Sequence, residues 1–423
     1  MGKPVVLLFL SLFATTFYSK AQNDQYSFAQ TYFGAGAQYL PGSGSTTIRD
    51  GSATETVRLP GKLTPYLDMG GMHFWGRADF YVSFFLPGVE LPGKTAATNL
   101  STGIMTGARY YPIKIRQNSF RPFAGINWSS ISYQQQNKNP TEEGPLLNRQ
   151  ILGVEGGISY ITGKYRIIEA SLLWLPRDSW DYPTGRNEFV RLNFPPVGMA
   201  LKYKYLLDFT RHAGSETSRA IQQQLKAKYE SRNALSAFSF GIGVSSSFPI
   251  SRSPFLQTER PYLMAPLPIT VFPDIAVGYY FRKPDLALRL AFRPMRFYQE
   301  AYGLRHELKR KALSLEAFKF LWDYKGFVPF AGAGANFETI QLKEKDFGNT
   351  VTHIREEKIS YSIVAGWDIR PTDVEWFILR TNVRYTPALS IKSLGKSYFL
   401  DHLELNFIQL VLYPQRMKAV WKK

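Results

Sequence analysis

Few residues in this chain have types and spacings that could do chemistry. There are five histidines, His73, His212, His306, His353 and His402, and no cysteine. No two histidines stand at metal-ligand spacing, and zinc sites built on thiolates are excluded. His402 and Glu404 lie two apart, which on a strand turns both to one side, where a satisfied internal pair is expected. Ser397 and His402 are close in sequence at the last outer loop, and a lipid-modifying enzyme would need such a nucleophile and base near the outer rim. Glu142-Glu143 and Glu356-Glu357 read as solvated charge. Ala331-Gly332-Ala333-Gly334-Ala335 lacks the Lys-Ser/Thr of a phosphate loop, and no Gly-x-Ser-x-Gly elbow occurs. The expectation is that the chain is not an enzyme and has no catalytic, cofactor or metal site.

Charge is the remaining chemistry. The chain carries 51 Lys and Arg against 33 Asp and Glu, a formal charge of +18. Lys3, the apolar stretch 5–13 and Ser19-Lys20-Ala21 have the pattern of a cleaved export signal over 1–21. Its removal takes two lysines and leaves +16. An exported, basic chain meets anionic lipid head groups rather than nucleic acid. Mean hydropathy is −0.21, and no apolar run after residue 21 is long enough for a spanning helix.

The elements that must position these charges are strands. Phe120-Arg121-Pro122-Phe123-Ala124-Gly125 recurs 207 positions later as Phe327-Val328-Pro329-Phe330-Ala331-Gly332. Gly34 and Gly36 recur at the same offset as Gly241 and Gly243. The reading is a tandem duplication. Repeat 1 spans 22–207, repeat 2 spans 236–413, and a basic tail occupies 414–423. Each repeat reads as eight strands. In 284–294, Leu286, Leu288, Leu290 and Phe292 share one face, and Asp285, Arg289 and Arg293 share the other. The better segments are long enough to cross a bilayer when tilted. Tight turns alternate with loops placed at 41–62, 87–98, 135–148, 177–187, 250–268, 295–310, 343–355 and 387–399, the asymmetry of a membrane barrel. Between the repeats, 208–235 carries Ile221, Leu225 and Tyr229 at helical spacing and is expected to be a helical linker on the periplasmic side.

The Gly-x-Gly openings, the Pro329–Gly334 strand and the aromatic-ending strands resemble the Gram-negative outer-membrane β-barrel domain family, in two tandem copies. Its eight-stranded members include OmpA-like, OmpW-like and small porin-like barrels. The resemblance implies location in the outer membrane and contact with its lipids, lipopolysaccharide among them, and with the barrel assembly machinery. It names no protein partner.

The expected fold is therefore all-β, a transmembrane antiparallel meander of about 16 strands in one barrel, with two tandem 8-stranded barrels as the alternative. A porin-like passive channel or a structural barrel is the leading functional expectation. The alternatives are a binding or scaffold protein using its outer loops, and a lipid-modifying enzyme. Candidate lumen charges are Arg289, Arg293, Arg380, Arg384, Asp274, Asp285, Asp368 and Glu404, with Lys202, Lys204 and Glu316 also inward. Lys309, Arg310 and Lys311 are candidate contacts for lipid phosphates.

Overall fold

The computed structural model describes residues 29–50, 53–91, 98–135, 143–176, 179–207, 216–263, 270–323, 326–370 and 375–421. The expected export signal and the first residues of the linker lie outside these. Sixteen long strands follow in order. The first eight are β1 (Gln30–Leu40), β2 (Gly61–His73), β3 (Ala78–Phe85), β4 (Thr98–Tyr110), β5 (Ser119–Gln135), β6 (Leu147–Thr162), β7 (Arg166–Trp174) and β8 (Val197–Leu207). After helix α1 (Glu216–Ser231) come β9 (Ala237–Pro249), helix α2 (Pro254–Glu259), β10 (Thr270–Phe281), β11 (Leu286–Ala301), β12 (Leu304–Phe320), β13 (Phe327–Asp346), β14 (Asn349–Ile369), β15 (Phe377–Thr386), β16 (His402–Leu412) and helix α3 (Pro414–Trp421).

The all-β antiparallel meander closes as two tandem 8-stranded barrels, the alternative arrangement, and the leading expectation of one 16-stranded barrel is overturned. Strand β1 pairs with β2 on one side and with β8 on the other, from Thr31↔Leu207 to Tyr39↔Met199. Strand β9 likewise pairs with β10 and β16. The physical reason is interior volume. Eight strands leave a space that side chains just fill, and sixteen leave a water channel. The inward residues here are tyrosines, phenylalanines and arginines, large enough to fill the smaller space. Closing eight strands also removes every edge, so a merged meander gains nothing on that account.

Glycines make the filling possible. A Cβ on Gly36 would lie 2.7 Å from the Tyr66 ring. The repeated Phe-x-Pro-Phe-Ala-Gly motif falls on β5 and β13, the fifth strand of each barrel. In both copies its second phenylalanine points inward over a glycine. A Cβ on Gly157 would come within 2.8 Å of the Phe123 ring, and one on Gly366 within 2.8 Å of Phe330. An arginine then stacks on each ring, Arg109 at 5.1 Å from Phe123 and Arg380 at 5.2 Å from Phe330.

The outward face is apolar. Phe33, Leu67, Ile158, Leu172 and Leu201 on the first barrel, and Val244, Val277, Leu315, Ile359 and Ile363 on the second, are exposed. Such a wall belongs in hydrocarbon, flanked by aromatic girdles. Phe120 against Tyr160, and Phe238 against Tyr279, ring the end that carries the linker, called lower here.

The upper ends depart from expectation. Segments 295–310 and 343–355 are not loops. Strands β11 to β14 run on through them and turn at Tyr302-Gly303 and Phe347-Gly348, where both residues of each turn take positive φ. Two-residue turns of this kind match the twist of a hairpin. The last strand of repeat 1, expected over 188–207, is broken at Pro195-Pro196: Phe189–Asn193 leaves the barrel and pairs with Ser179–Pro183 in a small upper sheet. Below, α1 is a helix as expected. The basic tail also forms one, α3, and a short α2 sits in the loop after β9. Arg416 of α3 donates to the carbonyls of Ala234, Leu235 and Glu375, which docks the tail under the second barrel.

The barrels touch each other at both ends. Above, Arg186 donates to Asp346 at 3.1 Å and to the Tyr302 carbonyl at 2.7 Å, and the Tyr302 hydroxyl donates to the Pro183 carbonyl at 2.7 Å. Below, Phe74 meets Phe327 at 5.6 Å and Phe80 meets Trp367 at 5.1 Å between ring centres.

Candidate functional site: the barrel interiors and their caps

Period-two alternation sends every second side chain of each strand inward, and in both barrels the middle of the interior is charged. In the first barrel Arg109 donates in a bidentate pair to Glu155, at 2.8 and 2.9 Å, and to Glu169 at 3.1 Å. Lys204 donates to Asp79 at 2.8 Å and lies 2.9 Å from Glu169. Lys202 donates to Asp68 at 3.1 Å. Tyr32 and Tyr111 hydroxyls donate to Asp79 and Glu169. Of this set the sequence reading named only Lys202 and Lys204.

In the second barrel Arg289 donates to Asp274 at 2.8 Å and Arg293 to Glu316 at 2.5 Å. Arg384 bridges Glu316 and Glu404, and Arg380 grips Asp368 with two hydrogen bonds at 2.7 and 2.9 Å. Arg310 pairs with Glu338 and reaches His402. Among the described residues, Arg289, Arg293, Arg310, Arg380 and Arg384 thus face Asp274, Glu316, Glu338, Asp368 and Glu404, five cations against five anions, all buried. Charges removed from water persist only when paired and hydrogen-bonded.

Apolar plugs close both ends of each network. The first barrel is floored by Tyr32, Met72, Tyr81 and Ile161 and capped by Leu100, Ile131, Tyr133, Tyr182 and Phe194. The second is floored by Tyr280, Phe318, Phe330 and Tyr413 and capped by Phe255, Leu308, Leu342, Ile391 and Tyr398. The last cap holds one polar knot. His306 Nδ1 lies 2.9 Å from Glu344, its Nε2 lies 2.8 Å from the Tyr398 hydroxyl, and Arg260 donates to Glu344 at 3.1 Å. His306, Glu344 and Tyr398 are buried and Arg260 closes the knot from the partly exposed side, so it holds the cap together.

Burial acts to raise the Glu344 carboxyl. The hydrogen bond to His306 and the Arg260 guanidinium outweigh it and hold Glu344 below its usual value. A depressed carboxyl contributes stability that is full above the unfolded value of about 4.3 and is lost as pH falls through the folded one. Melting of the cap, followed by near-ultraviolet dichroism, is therefore expected to drop as pH falls from about 5 to about 3. The Glu344→Gln variant should start lower and fall less. Equal slopes would remove Glu344 from the effect.

Arg289, Arg293, Arg380, Arg384, Asp274, Asp368 and Glu404 all point inward as read. Asp285 does not line the interior. It sits in the lower turn at φ +48°, where it accepts from the Tyr280 hydroxyl at 2.7 Å. Arg310 is corrected from a lipid-phosphate contact to an internal pair, because alternation along β12 turns Lys309 and Lys311 out and the residue between them in. Ser397 and His402 are not brought together: His402 is turned inward and lies 2.8 Å from Glu404, and the Ser397 hydroxyl accepts from Lys392.

No protein-family profile matches the chain, and no curated protein does. Solved structures that resemble it include Neisserial surface protein A, at 16% identity and a TM-score of 0.30 over 42% of this chain and 96% of that one. The attachment invasion locus protein of Yersinia pestis, in complex with a heparin analogue, is 13% identical with a TM-score of 0.29, over 42% of this chain and 97% of that one. An outer membrane channel from Pseudomonas putida F1 is 7% identical with a TM-score of 0.22, over 93% and 99%. Likeness at this level says nothing about what the chain does.

Proposed function

We propose that this chain is a non-conducting outer-membrane protein of a Gram-negative cell: two plugged barrels that carry an ordered outer platform for binding or scaffolding. The observation that carries it is the paired, buried charge across each interior, sealed above and below. A porin needs a wet lumen; these are filled. The parts that remain available are the hairpins of β11 to β14, which stand above the apolar wall with Arg296, Arg305, Lys343, Lys345 and Arg355 on their outer side. Lys309 and Lys311 face outward just above Leu313, at the level of lipid phosphates. The lower end, with α1 and α3, is then periplasmic.

The absence of native cysteine permits a clean test. A cysteine at Phe347 is expected to react with a membrane-impermeant maleimide on intact cells, and one at Lys283 only after lysis. A cysteine at Lys311 should label on intact cells several-fold faster once lipopolysaccharide is stripped with chelator. Labelling of Lys283→Cys on intact cells would invert the topology and sink the platform reading.

A further inference from the structure

Between the two barrels lies a half-enclosed cavity of about 400 Å³, lined almost wholly by apolar groups. Its walls are the outward faces of β2 to β5, with the start of β1, on one side and of β14, β15 and β16 on the other. Phe80, Ala108 and Ile126 oppose Leu379, Thr381 and Phe407. The barrels cannot close onto each other, because the aromatic contacts below and the Arg186–Asp346 clamp above already set their spacing. An apolar void of about 150 Å³ is enough to take a benzene-sized molecule. This one holds far more, and it opens from walls that themselves face hydrocarbon.

Its position along the strands gives the depth. Much of the lining comes from the lower ends: Gly71 and His73 close β2, Ala108 is near the end of β4, and Phe377 opens β15. At that lower rim, beside Gln30, stands an imidazole out of keeping with the apolar lining. His73 faces outward yet is 5% exposed, packed between the Phe80 and Phe327 rings, and it lines the cavity. Its Nδ1 is buried with no hydrogen-bond partner among the described residues. A buried polar nitrogen left unsatisfied is destabilising, so a ligand with a polar end belongs here.

We infer that the cleft between the barrels is a lipid site, holding the acyl chain of a periplasmic-leaflet phospholipid whose ester or phosphate end meets His73. The inference rests on the membrane reading above. An apolar slot with a polar nitrogen at its lower rim matches a molecule with a hydrocarbon tail and a hydrogen-bonding head, inserted from the lower leaflet. Lipopolysaccharide occupies the opposite leaflet and would present its head group at the wrong end.

The test is native mass spectrometry of the full chain, purified from outer membranes and exchanged through detergent. Wild type is expected to retain one phospholipid. Ala108→Phe, and Thr381→Phe from the other wall, should lower that occupancy at least tenfold by filling the slot. His73→Leu should lower it several-fold. Ala170→Phe makes the same change on exposed wall remote from the cleft and should retain the lipid. Resistance to heat in gel shift reports that each variant is folded. No retained lipid in wild type, equal retention in the filled variants, or retention of lipopolysaccharide instead would each overturn the site. The cysteine labelling pattern would be untouched by those outcomes, so a failure here is distinguishable from a failure of the membrane reading.

Discussion

Arg109→Met is expected to cost about 3–5 kcal/mol of stability, because removing one partner leaves buried charge uncompensated. The geometry says where the cost falls. Arg109 is the hub of the first interior and the bidentate donor to Glu155. Glu169 and Asp79 keep Lys204 when it goes, but among the described residues Glu155 keeps only the Tyr81 hydroxyl. Glu155→Leu in the same chain should therefore recover most of the loss, since apolar residues of similar volume often replace a buried pair at little cost. Urea unfolding in lipid vesicles would measure both. Additive losses in the double variant would show that the two side chains act independently, against the network described.

Reconstituted into planar bilayers, the purified chain is expected to be electrically silent. A 16-stranded barrel would give nanosiemens-scale steps, because its centre holds water. Here an ion would have to pass an apolar cap, a layer of buried, paired charge, and an aromatic floor. These obstacles stand in series. Phe318→Ala with Phe330→Ala removes part of one floor and should still give a flat baseline. Regular conductance steps from wild type would overturn the closed reading and restore the channel.

Much of the architecture was legible in the chain. All sixteen strands fall within segments read as strands, many of them alternating, and alternation alone turned Arg289, Arg293, Arg380 and Arg384 inward. The same rule, applied to 304–320, would have placed Arg310 inside, since it shares a face with Leu308, Ala312, Ser314 and Glu316. The density of Lys309-Arg310-Lys311 masked it. The long hairpins were missed for a different reason. Their turns, Tyr302-Gly303 and Phe347-Gly348, place an aromatic residue at positive φ, a position where Asn or Asp is the usual signal. Tyr302 is held there by tertiary bonds, its amide to the Glu143 carbonyl and its hydroxyl to that of Pro183. No local reading contains those partners. Closure was the hardest point. Both arrangements bury the same strand edges, and the deciding quantity is whether inward side chains fill the space between opposite walls. Arg109, Glu155 and Glu169 do so from strands far apart in sequence. Glu155, set among Gly153, Gly156 and Gly157, was the one local hint.

The separate closure of each barrel also sets how the chain can reach its native state. Thr31 must find Leu207, and Phe240 must find Leu412, each across roughly 170 to 180 residues. In a merged barrel the first strand would have waited for the last, about twice as far away. Doubling a loop adds only about 0.6 kcal/mol of closure entropy, so the saving in equilibrium stability is small. The saving in kinetics is larger, because folding slows as contacts become more distant along the chain. The first barrel can seal its edges while the second half is still unpaired. The exposed strand edges that invite aggregation then belong to only one half of the protein at a time.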